Sequence, residues 1–217
     1  MYRLYHHPGK ASLVPHLVLE ELGQPFELIS LDTDRGEHHT PAFRALNPRG
    51  LIPVLIDDGQ DLVLPETAAI VLHLVDRHPE AGLAPPPGSR ERAIFYRWLV
   101  FLTNTVQAEV LAMAYPDRHT TQQDEAASAA IRAAAQVRLG EFLDILEGAL
   151  AESGGPYLLG GLFSAVDLYL LVMARWTRGI PRPPRDRPRL ADLLDTLTDR
   201  AAVRRVAERE GLDPRLA

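Results

Sequence analysis

Two nearby stretches carry residues whose types and spacing could do chemistry. The first is Asn47-Pro48-Arg49-Gly50-Leu51-Ile52-Pro53-Val54-Leu55, and Leu64-Pro65-Glu66-Thr67 follows it. A proline at the mouth of an apolar strand removes a ladder donor, so it belongs on an edge, at a first strand position or in a bulge. Backbone groups left free beside it can pair with an extended peptide. Glu66 and Thr67 open an amphipathic run, and the N-terminus of a helix favours a carboxylate. Together the stretches describe a site for a small, anionic, peptide-like ligand. The plainer alternative is that Pro53 shapes a turn and Thr67 caps a helix.

These residues need elements to hold them, and the first third of the chain alternates strand and helix signals. Tyr2–Tyr5 and Phe26–Ser30 read as short strands around a helix at Ser12–Leu22, whose Val14, Leu17, Val18 and Leu22 share one apolar face. Gly23 stops that helix, and Pro15 falls in its first turn, where a missing amide costs nothing. Pro53–Ile56 and Leu62–Leu64 read as two strands around Asp58-Gly59, and residues 66–77 as a further helix. The order βαβ, a loop-rich helical stretch, then ββα predicts a thioredoxin-like domain over residues 1–78. A stiff segment at 79–89, centred on Pro85-Pro86-Pro87-Gly88, reads as a linker. Residues 90–217 then read as all-helical: Arg90 to Tyr115, 122–152, a start at Phe163-Ser164-Ala165-Val166-Asp167-Leu168, and two short helices near Leu190–Thr198 and Ala201–Glu210. Ser164 and Asp167 have the spacing of a capping box, with Phe163 placed to staple onto Leu168.

Composition closes off several functions. The 217 residues are 46% hydrophobic and 24% charged, which is ordinary for a globular protein, and the net charge of −6 offers no basic field for nucleic acid or an anionic membrane. No apolar run approaches the roughly 20 residues of a membrane helix, and the N-terminus runs straight into a strand pattern with no signal-peptide core. A cytoplasmic protein is expected. With no cysteine there is neither a disulfide framework nor a protein thiol nucleophile. The paired His6-His7 and His38-His39 lack the i,i+4 helical spacing that converges two imidazoles, so no metal site is expected.

Ile52-Pro53 and Glu66-Thr67, in this order and context, resemble the glutathione-binding half of the soluble glutathione transferases. The resemblance extends over almost the whole chain, including the second helical domain. It implies that Pro53 is cis and that the backbone around Leu51 and Ile52 pairs with the cysteinyl unit of glutathione. Glu66 would meet the ligand's α-ammonium, and the Thr67 amide and hydroxyl its α-carboxylate. Gly36-Glu37-His38 resembles a segment whose histidine reaches the glycyl carboxylate in some classes, and Arg49 occupies the other usual position for that role.

Such chemistry needs a thiolate. A thiol of pKa near 8.5 must be lowered by about two units, which takes roughly 2.7 kcal/mol. One hydroxyl donor contributes about 1.5–3 kcal/mol and a helix N-terminus about 0.5–2. His6-His7-Pro8-Gly9-Lys10-Ala11-Ser12-Leu13-Val14-Pro15-His16 is similar to the bacterial beta-class pattern, with Ala11 where that class has cysteine and Gln107 where its fourth helix has histidine. Ser12 is the first candidate for the hydroxyl, with an N-cap as its structural alternative. Tyr5 is the second candidate.

The resemblance thus implies a glutathione S-transferase: glutathione as co-substrate, no metal, a small hydrophobic electrophile, and a homodimer binding neither nucleic acid nor membrane. The helical domain would contribute the electrophile pocket, with His6, His7, Tyr115 and Leu212–Leu216 as candidate lining. Two alternatives stay open: a glutathione-dependent lyase, isomerase or disulfide reductase on the same fold, and a non-catalytic binding scaffold.

Overall fold

The computed structural model describes residues 1–122, 124–213 and 215. Its elements run β1 Tyr2–His6, α1 Leu13–Leu22, β2 Phe26–Ser30, α2 Pro41–Leu46, β3 Val54–Asp57, β4 Leu62–Pro65, α3 Thr67–Arg77, α4 Arg90–Val100, α5 Gln107–Ala114, α6 Glu125–Ser153, α7 Ala165–Thr177, α8 Pro188–Thr198 and α9 Ala201–Arg209. They form two compact units, one holding Met1–Ala84 with Thr198 to Asp213, the other Pro85–Leu197. The helix at the end of the chain therefore belongs with the sheet, whereas the sequence reading grouped it with residues 90–217.

The first unit is a four-stranded mixed sheet in the order β2-β1-β3-β4. β1 runs parallel to β2 and antiparallel to β3, with Tyr5 opposite Val54, and β4 pairs antiparallel with β3, setting Val54 against Pro65. This register decides where the chemistry sits. The C-terminal ends of β1, β2 and β4 and the N-terminal end of β3 lie at one end of the sheet. The loops carrying Ser12, His38, Ile52-Pro53 and Glu66 therefore all leave from that end.

Alternation assigns the two faces. Tyr2, Leu4 and His6 are buried on one side of β1, while Tyr5 lies on the other with Leu31, Phe43, Val54, Leu46 and Ile52. α1 buries Leu13 through Leu19 and ends at Gly23, whose φ of 64° is the left-handed C-cap expected of glycine. α9 lies along α1, and ion pairs tie them: Arg200 grips Glu21 at 2.6 and 2.8 Å, and Arg205 meets Glu20.

In the second unit α4 and α5 are joined by a π-helical segment, Phe101–Val106, inside the single helix expected from the sequence. α7 is buried without interruption from Ala165 to Ala174, as a helix apolar all round must be. Its start is the predicted capping box. The Asp167 carboxylate accepts from the Ser164 amide at 2.8 Å, the Ser164 hydroxyl at 3.0 Å and the Leu158 amide at 3.0 Å. Burial nevertheless pushes that carboxyl up to about 6, against the hydrogen bonds that favour its charged form.

Candidate functional site

Asn47 builds the loop that enters β3. Its side chain is almost fully buried. Its Oδ1 accepts the Arg49 amide at 3.2 Å, and its Nδ2 donates to the Leu51 carbonyl at 2.7 Å. Gly50 closes the turn with its amide on the Asn47 carbonyl at 2.8 Å. Its φ is 62°, and a Cβ there would stand 2.9 Å from the His38 carbonyl, so glycine is required twice over. Leu51 is exposed, Ile52 half-buried, and the Ile52-Pro53 bond is cis. The sequence reading gave Asn47 no role of its own, although Asn directly ahead of a proline marks the start of a turn.

Glu66 then initiates α3 with φ 74° and ψ 114°, well outside the ordinary regions for a residue with a side chain. Its carboxylate is 60% exposed and takes Arg49 Nη1 at 2.6 Å. Thr67 is buried and is the first helical residue. The amides of this first turn have no helical acceptor, so they point a partial positive charge at the end of the sheet. Glu66, Arg49 and the cis-proline loop are thereby grouped.

The β1–α1 loop is a second built structure. Pro8 and Gly9 are the central residues of a turn in which the Lys10 amide donates to the His7 carbonyl at 3.2 Å. Proline first and glycine second at φ 69° make this a type II turn. Glu210, buried, accepts the Gly9 amide at 2.8 Å with one oxygen and meets His16 Nδ1 at 2.6 Å with the other. Sequence reasoning missed this clamp, because 194 positions separate its partners.

Ser12 stands at the N-cap position but does not cap α1, since its backbone is helical and its side chain binds no helix amide. Instead the fully buried hydroxyl donates to the His7 carbonyl and accepts the His7 amide, both at 3.2 Å. Tyr5 packs edge-to-face on Phe43 at 5.5 Å inside the apolar cluster. His7 turns Nδ1 onto the Leu31 carbonyl at 3.0 Å. The Thr33 amide approaches the same nitrogen at 3.4 Å, so Nδ1 has an acceptor on one side and a donor on the other. His6 is turned inward, 8% exposed, with its ring 6.2 Å from that of the buried His16. Burial holds its pKa below the ordinary value, and its place in the core removes it from a pocket lining.

His38 is half-buried with Nδ1 unpartnered and its ring 3.8 Å from that of His39. Desolvation, with His39 and Arg44 nearby, lowers its pKa, so it is neutral at neutral pH. Tyr115 lies beneath the Arg118 guanidinium, 4.1 Å from its ring centre. Gln107 accepts the Tyr169 hydroxyl at 2.5 Å. Leu212 donates its amide to the Ala207 carbonyl, while Leu216 lies outside the described residues. Among the described residues no group of His, Asp or Glu is arranged to hold a metal ion, and no helix is long and apolar enough to cross a membrane.

Comparison with known proteins agrees with this fold. The N-terminal domain model of glutathione S-transferases matches residues 1–76, and a C-terminal domain model of the same family matches residues 129–196. Glutathione S-transferase GstA of Escherichia coli O157:H7 is 28% identical over 97% of this chain and 99% of its own length. Glutathione S-transferase GstB of Escherichia coli K12 is 32% identical, covering 88% of this chain and 89% of itself. The crystal structure of a glutathione transferase homolog from Sulfitobacter with bound glutathione superposes with a TM-score of 0.86, at 27% identity, over 96% of this chain and 98% of that one. With a thioredoxin-like sheet unit, a helical second unit and relatives matched almost end to end, the chain belongs to the glutathione S-transferase family.

Proposed function

We propose that the chain binds glutathione at the open end of its sheet and activates the thiolate for attack on a small hydrophobic electrophile. The observation that carries this is Glu66. An exposed carboxylate held at φ 74°, beside the free amides of α3 and the cis-proline loop, is a costly conformation that folding alone does not need. The γ-glutamyl α-carboxylate would sit on the Thr67 amide and hydroxyl, and the α-ammonium on Glu66. The cysteinyl backbone would pair beside Ile52. The Arg49–Glu66 contact supports moving Arg49 from the glycyl carboxylate to the γ-glutamyl end. His38, neutral, would serve the glycyl end as a hydrogen-bond donor rather than a cation.

In the reaction the thiol loses its proton to solvent. The thiolate forms a carbon–sulfur bond, and any leaving group departs with the electrons of the bond it breaks. Desolvation and proximity supply the rest of the acceleration. A cytoplasmic homodimer, with residues 90–217 supplying the electrophile pocket, completes the reading. Titration calorimetry with glutathione tests it. Binding by the native chain and a loss of about tenfold or more in Thr67→Ala are expected, since a hydrogen bond to a charged group contributes about 1.5–3 kcal/mol. An unchanged affinity in Thr67→Ala would put the site elsewhere.

The binding-scaffold reading is favoured by one observation: the Ser12 hydroxyl is committed to His7 in both directions. Ultraviolet absorbance of the bound thiolate separates the two, because a scaffold leaves the thiol with its solution pKa.

A further inference from the structure

The chain has 23 basic residues of the Lys and Arg type, and Lys10 is the only lysine among them. It stands in the turn between β1 and α1, where the Ser12 hydroxyl and His7 Nδ1 are already engaged. Ser12 is bound to His7, and His7 Nδ1 to Leu31. Tyr5 is packed against Phe43, and His6 is in the core beside His16. Ala11 has no side-chain donor. Lys10 is half-exposed and has no ion-pair partner among the described residues. Its turn is nevertheless held rigid, by the Lys10 amide on the His7 carbonyl and by buried Glu210 on the Gly9 amide.

The two kinds of cation suit different tasks. Arginine presents a flat fork that matches a carboxylate, whereas lysine presents a compact point charge with rotatable donors on a flexible stem. A single sulfur atom is a target for the latter. We propose that Lys10 supplies the charge that stabilises the glutathione thiolate, in place of a protein hydroxyl. The inference rests on the glutathione reading and names the group that does its chemistry. The ammonium keeps its own proton throughout. It lowers the free energy of the thiolate after the thiol proton has gone to solvent, and so lowers the thiol pKa.

The test compares the native chain with Lys10→Met and Ser12→Ala, using glutathione for thiolate absorbance and S-methylglutathione, which has no thiol, for affinity. Lys10→Met is expected to raise the bound-thiol pKa by about one unit, a tenfold loss of thiolate near neutral pH. Its S-methylglutathione affinity should stay within about twofold, and Ser12→Ala should move the pKa less. An unchanged pKa in Lys10→Met overturns the proposal, and so does a loss of S-methylglutathione affinity at constant pKa, which would make Lys10 a carboxylate holder. A native chain that binds neither ligand overturns the glutathione reading itself.

The lone lysine also permits a check without mutation. Reductive methylation with carbon-13 gives one side-chain resonance beside that of the N-terminus. Its titration should shift upward with glutathione and not with S-methylglutathione; equal behaviour with both would overturn the assignment.

Discussion

Asp167 and Glu66 are both acidic side chains at helix starts, and they are treated in opposite ways. Asp167, in the first turn of α7, is wholly buried and holds three donors. Glu66, ahead of α3, is exposed, caps nothing and occupies a backbone region that ordinary residues avoid. The first satisfies every nearby donor and so specifies a local structure. The second leaves the α3 amides uncovered and accepts strain to do so. That contrast separates a residue serving the fold from the one proposed to hold a ligand.

The comparison breaks most readily at Asp167. Asp167→Ala strands the Leu158 and Ser164 donors in the core and should cost about 3 kcal/mol or more. Urea denaturation reads this directly, and a midpoint near that of the native chain would show that the box is dispensable.

A second effect sharpens the same point through pH. The native Asp167 carboxyl titrates at about 6, above its ordinary value. Between about pH 4 and 6 the folded state therefore retains a proton that the unfolded state has released, and this group's contribution to stability falls as pH rises. Relative to Asp167→Asn, the native chain should lose on the order of 2 kcal/mol across that window. A constant difference between the two at every pH would mean that the carboxyl is not shifted.

The smallest expected change is at Glu66. Glu66→Gly removes the strain of a side chain at positive φ and a surface ion pair worth little. A gain of about 1 kcal/mol in stability should accompany weaker glutathione binding. Lost stability with intact binding would reverse the roles assigned to the two acids.

What the sequence disclosed follows from how local each determinant is. Phe26–Ser30, Gly23 and the Ser164–Asp167 box depend on neighbours within a few positions, so pattern and capping chemistry found them. The cis-proline loop and Glu66-Thr67 were legible as motifs. Arg49 meeting Glu66 was not, because their proximity is created by the pairing of β3 with β4. The π-helical segment at Phe101–Val106 was invisible, since one residue of slack hardly disturbs an apolar stripe. The N-cap weighed as the alternative for Ser12 has the right spacing but does not form, because the His7 backbone takes its hydroxyl. Lys10, a surface turn residue by any local rule, stands out only against the composition of the whole chain.

The clamp that Glu210 places on Gly9 also bears on biogenesis. A ribosome releases the four strands and α1 early, whereas α9 and Glu210 come last. The sheet unit is thus discontinuous in synthesis order, and the turn that presents Lys10 stays unpinned while every helix from α4 to α8 is being made. Premature termination anywhere between β4 and Glu210 would release a chain with its strands complete and its β1–α1 turn unsupported.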